Sequence, residues 1–268
     1  MTRRIAMPFY ERSALQHIRN MEIGFTKPQL FRCNDGRDYV VKFMSNPMGL
    51  RSLFSELICY RLGVLLDIPI PKATIVRIDE RLIKSTSILR NLKVKPGPHF
   101  GSLYIPDTQH LSSKLVSRCL RPDIIASVIV FDHWITNYDR WTNSTNILVK
   151  KSDRSLLFID HANAFDKWKP DAMKRLRERV DLIWGHVYEQ FAPYIDSKTL
   201  FEPVFTRLQA ITPDVLWQQL QDIPTEWGMS TSELEEFVDH LMERKRRLKR
   251  TIRGLRCYFP IWGSARGH

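Results

Sequence analysis

The stretch "NYDRWTNSTNILV", residues 137–149, followed by "LLFIDHANAF", residues 156–165, decides how the rest of the chain is read. Short polar side chains directly before an apolar run make self-capping turns, or they form a loop that carries chemistry. "NILVK" (146–150) and "SLLFI" (155–159) are strand-like runs joined by the tight turn "KSDR", and the second delivers Asp160 at its end. An antiparallel hairpin brings Asn146 and Asp160 to the same end of the ribbon, next to the loop holding Asp139. Oxygen ligands then converge there.

Upstream of the loop, "RPDIIASVIVFDHWITN" has Pro122 in its first turn and an almost wholly apolar face, which predicts a buried helix ending at Asn137. Further toward the N-terminus, residues 22–46 predict a hairpin of "PQLFRC" and "DYVVKF" with Gly36 supplying the turn. "GLRSLFSELICYRLGVLL" (49–66) has apolar residues at helical spacing, and "KATIVRI" (72–78) reads as a strand. A further strand pair is expected through "LIKSTSILRNL" (82–92), then a Gly- and Pro-rich connector over residues 93–104. The expected fold is α+β and bilobal, with a strand-rich N-terminal lobe over residues 1–95 and a mainly helical C-terminal lobe over 96–268. Past residue 165 the pattern is helical, broken at Pro193, Pro203, Pro213 and Pro224.

The chain has 268 residues, 43% hydrophobic and 26% charged, with no repeat or disorder signature. Cys33, Cys59, Cys119 and Cys257 are scattered without a C-x-x-C pair, so neither a zinc site nor a disulfide framework is suggested. Glu11 and Arg12 interrupt the N-terminal apolar run too early for an export signal, and "IIASVIVF" is too short to span a bilayer. A soluble cytoplasmic protein is expected. Net charge is +12, which favours anionic partners. Eight of the thirteen residues from 244 to 256 are basic, yet Leu234, Phe237, Leu241, Leu248, Ile252 and Leu255 run an apolar stripe through the region. Both a solvated terminal helix, with Ser232 and Glu235 as its capping box, and a nucleic-acid surface fit that pattern.

Four elements in order invite a chemical reading: a strand lysine, Lys42; a helix glutamate, Glu56; a loop aspartate, Asp139; and the hairpin pair Asn146 and Asp160. Transfer of a phosphoryl group from ATP needs a lysine on the phosphates, a carboxylate that orients it, an aspartate for the acceptor hydroxyl, and oxygen ligands for magnesium.

The two opening segments resemble the D-R-x…N loop and I-D motif of the HipA-like kinases, a family distantly similar to phosphoinositide kinases, and the resemblance implies a bilobal protein-kinase-like fold. "KPQLFRCNDGRDYVVKF", "SELICYRLGVLLDIPIPKATIV" and "GPHFGS" resemble the same family's N-terminal half in order, with a weaker echo in "IPTEW" at 223–227. The resemblance implies that Lys42 contacts the nucleotide phosphates with Glu56 as its partner, that Asp139 is the catalytic aspartate, and that Asn146 and Asp160 bind Mg2+, with Asn143 as the alternative to Asn146. Thr26 and Lys27, in "GFTKP", stand where the family's phosphate-covering loop lies. The implied activity is ATP-dependent transfer to a hydroxyl acceptor, a protein Ser/Thr or the chain itself; the alternative is a catalytically silent regulatory or nucleic-acid-binding module. Arg140 either binds a phosphate or braces the loop against a carboxylate. His133 and His161 are read as structural, His99 as a buried-turn residue or a ligand contact between lobes, and the tryptophans as core.

Overall fold

The structure, a computed structural model, describes residues 11–21, 24–119, 121–137, 140, 146–165, 174, 191–257 and 261. Five strands close into a barrel: β1 (Arg12–Asn20), β2 (Gln29–Cys33), β3 (Asp38–Lys42), β4 (Ala73–Ile78) and β5 (Gly97–Leu103), in the order β1-β2-β3-β5-β4. The hairpin β2–β3 forms as its residues predict, pairing Gln29 with Val41 and Arg32 with Asp38, and Gly36 takes the left-handed conformation at φ 73°. β4 alternates as a strand between two apolar bodies must: Ile75 joins the helical core while Val76 and Ile78 join Phe31, Tyr39, Val41 and Phe43 in the barrel core. The ring is completed by β1 lying parallel to β4, through Arg12–Val76 and Ser13–Arg77, with an Arg77–Glu11 ion pair of 2.9 Å beside the seam.

Residues 93–104 are not a connector, because Gly97–Leu103 is a strand hydrogen-bonded to both β3 and β4. Its loop-like composition has a steric reason: a Cβ on Gly101 would collide with the Val76 side chain, and Pro98 lies beyond the end of β3, where no β3 hydrogen bond is lost. Residues 82–92 are not a strand pair but two short helices, α2 (Glu80–Ser85) and α3 (Ser87–Asn91), the first capped by Asp79 accepting from the Leu82 amide at 2.7 Å. β1 itself was not anticipated.

Helix α1 (Leu50–Leu65) sits between β3 and β4 in sequence and is buried along most of its length. The second sheet is β6 (Thr108–His110), β7 (Ile147–Lys150) and β8 (Leu156–Phe158), all antiparallel; the hairpin β7–β8 was expected and β6 was not. α4 (Ser113–Val116) leads to α5 (Pro122–Trp134), the apolar helix foreseen, whose Val128–Trp134 stretch is wholly buried. Among the described residues three further α-helices follow: α6 (Glu202–Gln209), α7 (Pro213–Gln219) and α8 (Thr231–Arg253). The capping box of α8 is Ser230 with Glu233, two residues before the expected Ser232 and Glu235. Trp134 and Trp227 are buried as core residues; their indole N–H groups donate to the Leu241 and Pro98 carbonyls, each at 2.9 Å. No helix among the described residues is long and apolar enough to cross a membrane.

Candidate active site

Lys42 is the last residue of β3, and its neighbour Val41 points into the barrel core, so alternation turns the lysine out toward α1. There its ammonium bonds Glu56 and, at 2.7 Å, Asp160 Oδ1. The second Glu56 oxygen accepts the backbone N–H of His161 at 3.0 Å, so one carboxylate of α1 joins the barrel lysine to the residue after Asp160. Asp160 holds the left-handed conformation at φ 57°, which Asp tolerates better than most residues and which turns the chain sharply after β8. Ile159 donates its amide to the Asn146 carbonyl at 3.0 Å, closing the open end of the β7–β8 ribbon. Asn146 and Asp160 are thereby brought to one end, as their positions in the hairpin predicted.

The charges bias one another. Burial lowers the Lys42 ammonium pKa, but Asp160 and Glu56 together outweigh it and hold the lysine charged. Burial raises the Asp160 carboxyl, and the Lys42 charge overcomes that, leaving it at about 2. Burial pushes the Glu56 carboxyl above its usual range, against the pull of Lys42 and with the push of Asp160, which shares the same ammonium.

These residues line a cleft of about 790 Å³ between the barrel and the second sheet. Lys42, Glu56, Asp160, Asn146 and Asn163 supply polar lining, while Val40, Leu148 and Ile159 supply apolar wall. Of the "GFTKP" segment, Gly24, Phe25, Thr26 and Pro28 line the cleft. Thr26 is buried, whereas the Lys27 side chain is exposed and does not line it. Asp139, Trp141 and Asn143 lie outside the described residues.

Arg140 is fully buried and braces the loop, in keeping with one of its two expected roles. Its Nε donates to Asp132 Oδ2 at 2.6 Å, one terminal nitrogen donates to the Asn146 carbonyl at 3.0 Å, and the other lies 2.8 Å from His161 Nε2. The guanidinium also stacks over Phe158 at 5.2 Å. An arginine cannot accept a hydrogen bond, so His161 Nε2 is the acceptor and the ring is neutral; burial, then Arg140, lowers its pKa. Asp132 also accepts from Asn137 at 3.0 Å, so both described residues flanking Asp139 are tied to one carboxylate. Asp132 was missed in the sequence, although an acid inside "VIVFDHW" signals a buried partner.

His99 does not line the cleft. It is completely buried in the barrel, accepting from the Met44 amide at Nδ1 (3.0 Å) and donating from Nε2 to the Lys95 carbonyl (3.1 Å), edge-on to Phe43. His133 bonds the Ile129 carbonyl within its own helix. The basic end of α8 is largely occupied by local partners: Arg244 reaches the His133 carbonyl, Lys245 the Gln209 and Ile211 carbonyls, Arg246 and Arg247 pair with Glu243, and Lys249 with Glu202.

The HipA-like kinase family model matches residues 15–253. The chain belongs to the HipA-like kinase family. Its fold is also that of a solved Helicobacter pylori structure, the proinflammatory kinase CtkA, with TM-score 0.59, 12% identity, and coverage of 91% of this chain and 98% of that one. A Golgi casein kinase solved with Mn/ADP bound matches more weakly, with TM-score 0.42 and 14% identity over 98% of this chain and 75% of its own. No match is found among curated proteins. Membership of this family, together with the kinase fold, makes phosphotransfer of the kinase type the chemistry of this HipA-like chain.

Proposed function

We propose that this HipA-like kinase uses ATP and Mg2+ to phosphorylate a hydroxyl, that of a protein Ser/Thr or of the chain itself. The observation that carries the reading is one ammonium, Lys42 Nζ, held between Glu56 and Asp160 in a cleft that Asn146 also lines. Lys42 then meets the nucleotide phosphates, and Glu56 fixes the lysine's position from α1. The donor set fits a magnesium ion: a carboxylate and a carboxamide are hard oxygen ligands, and about a third of the Asp160 side chain is exposed to the cleft. When bound, the ion neutralises charge on the phosphate oxygens.

Asp139 is the acceptor's base in this reading, and its described neighbours Asn137 and Arg140 are both tethered to Asp132. We read the molecule as two lobes meeting at the cleft, located in the cytoplasm. We also read a distant kinship with phosphoinositide kinases, as the resemblance to the HipA-like family implies. A silent module that lost catalysis would have no need to keep the Lys42–Glu56–Asp160 set intact.

The test is incubation of the purified chain with γ-labelled ATP and Mg2+, alone and with cell extract, followed by mass spectrometry of whatever acquires label. Asp139→Ala is expected to abolish transfer while leaving nucleotide binding largely intact. Undiminished transfer by that variant would refute the assignment.

A further inference from the structure

After β8 and Ile159 the chain turns through Asp160, His161, Ala162, Asn163 and Ala164, and Phe165 ends the turn. The turn is pinned at both ends. The His161 N–H bonds Glu56, Ala164 donates to the His161 carbonyl at 3.0 Å, and Phe165 donates to the Ile135 carbonyl at 3.0 Å while its ring packs edge-on against Phe237. His161, Ala162, Ala164 and Phe165 are all buried. Asn163 and Asp160 are the half-exposed residues of the turn, and both line the cleft with Lys42.

The usual structural reasons for an asparagine in a turn are missing. Asn163 is not among the residues with left-handed backbone, and among the described residues its side chain makes no hydrogen bond. A rigid turn thus presents an uncommitted carboxamide to the phosphate end of the cleft, three positions past the residue that engages Lys42.

We propose that Asn163 binds the terminal phosphate of the nucleotide through its amide N–H groups, an inference that rests on the kinase reading above. A neutral donor suits this position, because Lys42 already supplies the fixed positive charge and a carboxylate would repel the phosphate. Lys42 and Asp160 serve the inner oxygens, and Asn163 reaches the group that is transferred.

The experiment is calorimetric titration of the full-length chain with a nonhydrolysable ATP analogue and with ADP, each with Mg2+, for wild type, Asn163→Ala and Asn163→Asp. Hydrogen bonds to charged groups predict that Asn163→Ala loses affinity for the triphosphate roughly tenfold, with ADP affinity unchanged. Asn163→Asp loses more, again for the triphosphate alone. Equal losses for both nucleotides, or no loss for the triphosphate, would overturn the assignment of Asn163 while leaving the kinase reading standing. A wild-type chain that binds neither nucleotide would overturn both.

Discussion

Two carboxylates share the Lys42 ammonium, and each does something different with it. Glu56 is anchored at its other oxygen by the His161 amide, so it fixes where the lysine sits, whereas Asp160 is open to the cleft. Glu56→Gln keeps the shape but removes the charge that orients Lys42, and a loss of about 100-fold in kcat/KM is expected from misplacement of this kind, read in the labelled-ATP assay. The buried pair behind the site bears on stability instead. Asp132→Ala leaves the Arg140 charge uncompensated at zero exposure, costing about 3–5 kcal/mol in urea unfolding. His99 sets a pH dependence. Burial lowers its pKa to about 4 from the usual 6.5, so the folded chain binds this proton less readily than the unfolded one. Its contribution is complete above pH 6.5 and is lost as pH falls from there toward 4, by about 3 kcal/mol. Unfolding midpoints at neutral and acid pH will show the slope, and His99→Gln flattens it in part, because buried His161 shifts in the same sense.

The helix that carries Glu56 is held from outside the barrel. Arg61 donates from one nitrogen to the carbonyls of Gln219 and Gln221, each at 2.6 Å, at the end of α7; Arg51 pairs with Glu233 at the start of α8; and Phe54 packs edge-on against Phe237 at 5.3 Å. α1 is therefore fastened at both ends to the C-terminal helices. Arg61→Met strands those two carbonyls and should cost about 3 kcal/mol while weakening nucleotide binding, because Glu56 rides on the same helix. A variant that unfolds earlier yet binds nucleotide normally would separate the two effects and contradict that coupling. Elements with strong periodicity, namely the β2–β3 hairpin, α1, β4, α5, β7–β8 and α8, were legible in the sequence. The others fail for identifiable reasons. β1 buries only Ala14 of its nine residues, so no alternation shows. β5 carries two glycines and a proline because neighbouring side chains and strand ends require them. α2 is set by the Asp79 cap and a Glu80–Lys84 ion pair, signals outweighed by the β-branched residues around them. At the site, the sequence indicated Lys42, Glu56, Asn146 and Asp160 because phosphoryl transfer constrains their types and order. Asp132 escaped because its role depends on contacts that only the folded chain defines.

At the scale of the whole molecule, the +12 charge suggests a polyanion partner, but the cations at the basic end of α8 largely have carbonyls or carboxylates as neighbours. Any DNA or RNA binding is accordingly expected to be weak and lost by about 0.15 M salt, as fluorescence anisotropy across a salt series will show. Tight binding that persists at that salt would reinstate the surface as a nucleic-acid site. Among the described residues, two pairs stitch β1 to β4, against six between β4 and β5, and β1 is irregular twice along its pairing with β2. Heat or mild denaturant should unzip the ring along this line before the helices melt, and hydrogen exchange should register β1 amides as the first in the barrel to go. A freed β4 then offers bare backbone to any passing strand, so the route by which this kinase aggregates begins on the side of the barrel that its N-terminal residues barely keep shut.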